Sequence, residues 1–474
     1  MSGAAPPVRG AAVGFWTLAR LTQALAERLV GSRPGGSAPL GDVATDTRAL
    51  RAGDVFVALR GERFDAHDFL AEAVDRGAAA LVVDDARRAP LAGVPAFVVD
   101  DTVAALGALG RYRRRAWGGP VIAVAGSNGK TSTKALIAAA LGARFRVHAT
   151  SGNLNNHVGV PLTLLAIPDD AELAVVEIGT NHPGEVATLR ALAEPDIAVV
   201  TSIGEEHLEG FGDLAGVLRE ECAVFEGVSL GVAPAAHPEV APLARARAAR
   251  VVEAGLDRGD LSPDAWGLAA DGRGWMTFGG VRFALPLAGA HNLRNAVLAV
   301  AVARAAGVSD DETARALAAL PQLPMRSALE PVGSLLVLSD AYNANPASAR
   351  EALATLDAID DGRPRVVVLG SMLELGAASD ALHDEIARRA LASGAVVVAG
   401  VGEFQRALRH ADPDDPRVVT AADADALWPL LRDRVPANAL VLLKGSRGTR
   451  LERLLPMLRE LAGAPPADAP AATH

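Results

Sequence analysis

Apolar and polar positions alternate most regularly between 325 and 460. Short apolar runs at 335–339, 365–370, 395–399, 417–420 and 439–443 are separated by segments at 346–359, 379–392, 402–409, 423–433 and 449–461, whose apolar residues recur every three or four positions. Strand-length apolar runs between amphipathic helical stretches predict a mostly parallel sheet with helices on both faces. A second block, 106–320, follows the same logic less regularly. It opens with a basic helix carrying Arg111, Arg113, Arg114 and Arg115, then passes through a strand at 121–124 into a helix at 135–141. Strands at 173–178 and 197–203 and a helix at 290–306 follow, while 230–286 reads only as a β-rich or mixed excursion. The first block, 15–105, begins with a helix that places Leu18, Leu21, Leu25 and Leu29 on one face. A Gly/Pro/Ser-rich turn at 31–41, a strand at 55–59, a helix at 67–77 and strands at 80–84 and 96–100 complete it. The pattern predicts three α/β domains, at 15–105, 106–320 and 321–462. The ends, 1–14 and 463–474, are small-residue- and proline-rich and are expected to be disordered.

Composition narrows the class. A chain of 474 residues exceeds what one hydrophobic core holds. Half of its residues are apolar, yet no run approaches the ~20 continuous apolar residues of a membrane span. Residues 1–14 lack a basic-then-apolar leader pattern, so a cytoplasmic chain without a membrane span is expected. One cysteine, Cys222, excludes an intramolecular disulfide and a multi-cysteine zinc site. The net charge of −10 argues against general nucleic-acid binding, so an anionic ligand would need local basic groups and a metal.

The basic residues carry the strongest chemical signal. Of 46 lysines and arginines only three are lysines, and two of them, Lys130 and Lys134, stand in Ala125-Gly126-Ser127-Asn128-Gly129-Lys130-Thr131-Ser132-Thr133-Lys134. Where arginine serves almost everywhere, a lysine points to a need that a guanidinium does not meet. Strand, glycine turn, Lys-Thr and helix is the layout of a phosphate-binding loop. In it Lys130 reaches the β/γ oxygens of a nucleotide and the Thr131 hydroxyl ligates Mg2+. Val124 stands where the usual pattern has its first glycine, and the alternative is an ordinary glycine turn before a core helix.

Glu177 closes one apolar strand and His207 follows the next. Both fall at the carboxyl edge of the predicted sheet, where doubly wound folds bind ligands, and can converge on a metal. The alternative is a surface glutamate and a lone histidine. The loop Gly152-Asn153-Leu154-Asn155-Asn156 and the run Tyr342-Asn343-Ala344-Asn345-Pro346 read either as turns bonding their own backbone or as amides orienting a polar substrate. The third lysine, in Lys444-Gly445-Ser446-Arg447, sits between a strand and a helix, as an anion site or as a plain basic helix start.

Taken together, these residues resemble the Mur ligase family over about 15–460. The marks are Asp46-Thr47-Arg48, His67-Asp68-Phe69, the phosphate loop, Asn155-Asn156, Glu177-Ile178-Gly179, and His207-Leu208-Glu209-Gly210-Phe211-Gly212. His291-Asn292 with Asn295, the Tyr342 run and the Lys444 loop complete the set. The resemblance implies an N-terminal α/β UDP-binding domain, a central P-loop ATPase-like parallel-sheet domain and a C-terminal Rossmann-like domain. It also implies an ATP- and Mg2+-dependent amide ligase that joins D-alanyl-D-alanine to UDP-N-acetylmuramoyl-tripeptide through an acyl phosphate, acting as a monomer. By the same resemblance Gly126, Ser127, Asn128, Gly129, Lys130, Thr131, Ser132, Asn292, Asn295, Arg326 and Asp340 hold the nucleotide. Thr131, Glu177 and His207 ligate metal. Asp46, Thr47, Arg48, His67, Asn155, Asn156, Asn343, Asn345, Lys444, Ser446 and Arg447 contact the other substrates.

Three departures stand out. The family carries a carbamylated lysine that the spacing from His207 puts at position 221, where this chain has Glu221 and where no lysine exists between Lys134 and Lys444. Glu221 is therefore expected to take over a metal-side, catalytic role. Glu206, where the family has a small residue, could add a carboxylate beside His207. Ser371 replaces an aspartate.

Overall fold

The computed structural model describes residues 14–463 except 32, 62, 63 and 89–92. The ends expected to be disordered thus lie outside the described residues, apart from Gly14 and Gly463. Four sheets carry the architecture.

The first is a four-stranded parallel sheet in chain order, Val43–Ala44, Val55–Val57, Ala80–Val83 and Ala96–Val98. The helix expected at 67–77 is a 3-10 turn, Ala66–Phe69, running into the α-helix Leu70–Asp75. The opening helix ends at Ala24, and Leu29 leaves it to form an antiparallel bridge with Val99.

The second sheet has six parallel strands in the order Val251–Ala254, Leu230–Pro234, Ile197–Val200, Val121–Ala125, Leu173–Glu177, Val147–Ala149. This corrects the reading of 230–286. Its first part supplies two strands of the central sheet, and only Ala265–Leu268, Arg273–Phe278 and Val281–Ala288 form a separate antiparallel sheet. The sequence hid the first of these strands because Leu230–Pro234 contains Gly231 and Pro234, which depress strand signals. Strand order reverses on either side of Val121–Ala125, all five of whose residues are buried. That makes its carboxyl end the switch point where such sheets open a crevice.

The last sheet runs Ala328–Val332, Leu335–Asp340, Leu440–Lys444, Arg365–Leu369, Val397–Val401, Val418–Ala421, with the first strand antiparallel and the rest parallel. The antiparallel edge strand escapes the sequence pattern because Glu330 and Pro331 interrupt its apolar run; proline is tolerated there as an edge. The helix expected at 449–461 is two 3-10 turns followed by Leu454–Leu461. Among the described residues no helix is long and apolar enough to cross a membrane.

Candidate active site

The loop after Val121–Ala125 is shaped by its neighbours. Gly126 has φ +119°, and a Cβ there would lie 2.4 Å from Thr201 Oγ1, so only glycine lets the loop lie this close to the adjacent strand end. Thr201 and Ser202 hydroxyls donate to Asn128 O (2.6 and 3.1 Å), and Ser127 N–H donates to Ser202 O (2.9 Å). Lys130 opens the helix Lys130–Gly142, and its Nζ donates back to Gly126 O (2.6 Å) and Ser127 O (3.2 Å). The helix N-terminus faces a cavity of about 660 Å3, ready for an anion.

That cavity gathers most of the expected residues. Ser127, Asn128, Gly129, Lys130, Thr131, Ser132, Asn155, Asn156, Glu177, His207, Asn292, Asn295, Arg326, Asp340, Asn343 and Lys444 all line it. Glu177 is held at the end of its strand by three hydrogen bonds and an ion pair with Lys134 (3.1 Å). Its Oε1 accepts from Thr131 Oγ1 (3.1 Å) and Asn155 Nδ2 (2.9 Å), and its backbone N–H donates to Thr150 Oγ1 (2.9 Å). Its Oε2 is buried without a hydrogen bond. A hydroxyl and a carboxylate this close, with one carboxylate oxygen free of hydrogen bonds, suit a hard divalent cation that keeps water and phosphate as its remaining ligands. Among the described residues no three His, Cys, Asp or Glu side chains cluster as a complete metal cage; Thr131 and Glu177 are side chains that could hold Mg2+ beside a nucleotide. His207, in a left-handed backbone conformation (φ 48°), lines the same cavity and pairs through Nδ1 with Glu374 from beyond the strand Arg365–Leu369. Burial lowers its pKa, with Glu374 opposing.

Glu221 departs from expectation. It is fully buried beneath the loop, outside the cavity lining, and its Oε2 accepts from Gly126 N–H at 2.6 Å. Gly126 likewise does not line the cavity. Glu206, by contrast, lines the cavity, and its Oε1 lies 3.7 Å from Lys130 Nζ. Burial pushes Glu206 up to about 8, against the pull of the Lys130 ammonium, and burial likewise raises Glu221. Burial works against the charge on Lys130, but Glu206, Glu221 and Glu177 outweigh it and raise that pKa.

The last sheet closes the other side. Lys444 Nζ lies 2.8 Å from Asp340 Oδ2 and donates to Asn343 O (2.7 Å), while Asp340 Oδ1 accepts from Ser327 N–H (3.0 Å). The Arg326 guanidinium stacks 4.0 Å from the Tyr342 ring centroid. Asn345 caps the helix Pro346–Ala358 and donates to Asn128 Oδ1. Arg350, which sequence reasoning missed, pairs with Glu205 (3.1 Å) across the same junction and with Glu385 (2.8 Å) on its own side. Asn345, Ser446 and Arg447 do not line the cavity. Ser446 is buried with its hydroxyl donating to Ala344 O (3.3 Å), and the Arg447 guanidinium lies 5.7 Å from the Tyr342 ring centroid. Ser371 accepts from the Glu403 N–H (2.9 Å) at the start of the helix Glu403–Ala411, a capping role that a hydroxyl fills.

A second cavity, of about 600 Å3, collects Asp46, Thr47 and Arg48 with Phe64, Phe69, Leu154 and Val158. Asp46 caps the 3-10 turn Thr47–Ala49 and forks with Arg48 (2.6 Å), whose hydrogen bond lowers its pKa. His67 is not brought there. It is buried, with Nδ1 on Asp65 (2.6 Å) and Nε2 accepting from Asp84 N–H (3.1 Å), so both ring nitrogens are used in fastening its own turn. The amide loop lies between the cavities, with Asn153, Asn155 and Asn156 on the first and Leu154 and Val158 on the second.

A phosphate loop at a sheet switch point, with acidic and lysine side chains from two sheets around one cavity, defines an enzyme built to handle phosphate-bearing ligands. The chain belongs to the Mur ligase family: the family's profiles for the catalytic domain, the middle domain and the glutamate ligase domain match residues 41–114, 124–303 and 327–447. It is 34% identical to the UDP-N-acetylmuramoyl-tripeptide–D-alanyl-D-alanine ligase of Bacillus subtilis over 88% of this chain and 93% of that one. Identity to the Escherichia coli ligase of the same name is 35%, over 94% and 98%. Its fold is similar to a crystal structure of MurF from Acinetobacter baumannii, with a TM-score of 0.85 and 31% identity over 94% of this chain and 99% of that one. It is also similar to the MurF ligase of Thermotoga maritima in complex with ADP, with a TM-score of 0.80 and 27% identity over 89% and 98%.

Proposed function

We propose that this protein is an ATP-dependent amide ligase that joins D-alanyl-D-alanine to UDP-N-acetylmuramoyl-tripeptide in the cytoplasm, with residues 15–105, 106–320 and 321–462 as its three working units. The observation that carries this reading is the convergence of Lys130, Thr131 and Glu177 with Asp340, Asn343 and Lys444 on one cavity. The near end-to-end similarity to ligases of that name supports the choice of substrates.

The chemistry follows from the substrates. A carboxylate resists attack by an amine because it is anionic and has no adequate leaving group. Transfer of the ATP γ-phosphoryl group to the carboxylate of the tripeptide gives an acyl phosphate and ADP. The amine of D-alanyl-D-alanine then attacks the carbonyl carbon, and the tetrahedral intermediate collapses by expelling phosphate, the amine proton passing to solvent. Little covalent work falls to the protein, whose part is positioning and charge neutralisation.

Lys130 is supported as the γ-phosphate contact, exchanging its bonds to Gly126 O and Ser127 O for phosphate oxygens. Thr131 and Glu177 would hold Mg2+, with His207 lining the same cavity, and the ion would supply charge neutralisation on the phosphates. Glu206 rather than Glu221 is the additional carboxylate facing the ligands. Asn292, Asn295 and Arg326 serve the nucleotide. Asn343 and Lys444 serve the incoming amino acid, and Asp46, Thr47 and Arg48 the UDP-sugar in the second cavity. The test is phosphate release with purified enzyme. Release that needs ATP, UDP-N-acetylmuramoyl-tripeptide and D-alanyl-D-alanine together supports the reading, and release indifferent to either acceptor or donor refutes it.

A further inference from the structure

Every lysine of the chain stands against a buried or half-buried carboxylate of the main cavity. Lys130 lies 3.7 Å from Glu206, Lys134 3.1 Å from Glu177 and Lys444 2.8 Å from Asp340. In a chain whose other basic residues are all arginines, this coincidence marks each as a place for a compact ammonium. Lys130 and Lys444 line the cavity and already have roles. Lys134 does not line it.

Its surroundings are specific. Lys134 follows Lys130 by one helical turn, so both side chains leave the same face of Lys130–Gly142. The Lys130 ammonium turns back to the loop backbone, whereas that of Lys134 reaches the end of Leu173–Glu177. The Lys134 side chain is 7% exposed and that of Glu177 2%. Lys134 Nζ also donates to Gly152 O at 3.2 Å, on the loop whose Asn155 holds Glu177 Oε1. One ammonium thus touches both the carboxylate and the loop that orients it. Nζ sits at ion-pair distance from Glu177 Oε2 but makes no hydrogen bond to it. A guanidinium brings a planar fork of five donors, and this site offers one carboxylate oxygen and one carbonyl.

We propose that Lys134 is a positioning residue for Glu177. It anchors Oε2 from behind, so that Oε1 stays turned to the Thr131 hydroxyl, and it pins the Gly152 end of the amide loop to the same carboxylate. The inference rests on the reading that Thr131 and Glu177 hold the cation of the nucleotide complex. Residues that orient a metal ligand through contact with it cost about 10- to 100-fold in metal affinity when removed.

The experiment compares the full-length protein with Lys134→Met, Lys134→Arg, Glu177→Gln and the Lys134→Met/Glu177→Gln double variant. Binding of Mn2+ in the presence of ADP is read from the electron paramagnetic resonance of free Mn2+, and binding of ADP without metal by calorimetry. The expected result is Mn2+ binding weakened about 10-fold or more by Lys134→Met and by Lys134→Arg, with metal-free ADP binding unchanged. The double variant is expected to match Glu177→Gln alone, because an ammonium that acts through Glu177 has nothing left to position. Mn2+ binding by Lys134→Met equal to that of the unaltered protein overturns the proposal, and so do losses that multiply in the double variant. Should Lys134→Met fail to fold around an unpaired carboxylate, the double variant removes both charges and its comparison with Glu177→Gln decides. If Glu177→Gln itself leaves Mn2+ binding intact, the cation reading fails and the proposal falls with it, a result distinct from failure of Lys134 alone.

Discussion

Asn345 Nδ2 donates to Asn128 Oδ1 across 2.9 Å, joining two residues 217 positions apart in the chain. The same Asn345 caps the helix Pro346–Ala358 through a bond from Ser348 N–H (2.8 Å), so one amide fixes a helix start in the last sheet and the phosphate loop of the central one. Replacing it with alanine removes both functions, whereas Asn128→Ala removes only the link. Asn345→Ala is expected to cost about 1 kcal/mol more in denaturant-induced unfolding than Asn128→Ala, the ordinary worth of an N-cap.

Glu221 is expected to act on the loop and not on the ligands. Glu221→Ala leaves the Gly126 N–H buried without its acceptor, a loss of about 1–3 kcal/mol in unfolding free energy. A raised KM for ATP with the Mg2+ dependence kept is the expected kinetic signature. A shift in the Mg2+ requirement instead would return Glu221 to the metal side.

The raised pKa of Glu206 makes a pH prediction. The folded state holds its proton up to about 8, whereas the unfolded chain releases it near the ordinary 4.5. Between these values the folded state binds more protons, so this group's contribution to stability is full below about 4.5 and is lost as pH rises through about 8. Glu206→Gln is expected to flatten the fall of Tm over that window, measured by thermal unfolding at a series of pH values. An unchanged slope would place the proton elsewhere in the Glu206, Glu221 and Lys130 group.

Gly129 has φ +84°, and a Cβ there would lie 2.7 Å from Asn295 Oδ1. Gly129→Ala therefore combines left-handed strain of about 1–2 kcal/mol with displacement of Asn295. The expected outcome is a lower unfolding midpoint together with weaker ADP binding. The companion Asn295→Ala relieves the contact and should recover part of the stability in the double variant.

Much of the site was legible because its chemistry is local. The run from Gly126 to Ser132 announces a phosphate loop by itself: glycine positions, the Lys-Thr pair and the flanking strand and helix are all set within a dozen residues. Glu177 and His207 were found by their places after apolar strands. Other residues were misplaced for a physical reason. His67 sits in a motif that faces the second cavity through its neighbours Ala66 and Phe69, while its own ring turns inward to Asp65 and Asp84. Glu221 and Glu206 look interchangeable as carboxylates, and only their depths separate them. Lys134 was visible as one of three lysines, but its target ends the neighbouring strand, 43 positions on, and no spacing rule connects them.

The amino-acid sequence by itself determined the alternation of strands and helices, the glycine-shaped loop and the scarcity of lysine, because each depends on periodicity or on a few adjacent residues. The tertiary structure alone decided which carboxylate meets which lysine, that 230–254 completes the central sheet, and that Asn345 reaches Asn128. Those outcomes depend on strand order and on burial depth. Both arise only when segments far apart in the chain pack against one another and exclude water from between them.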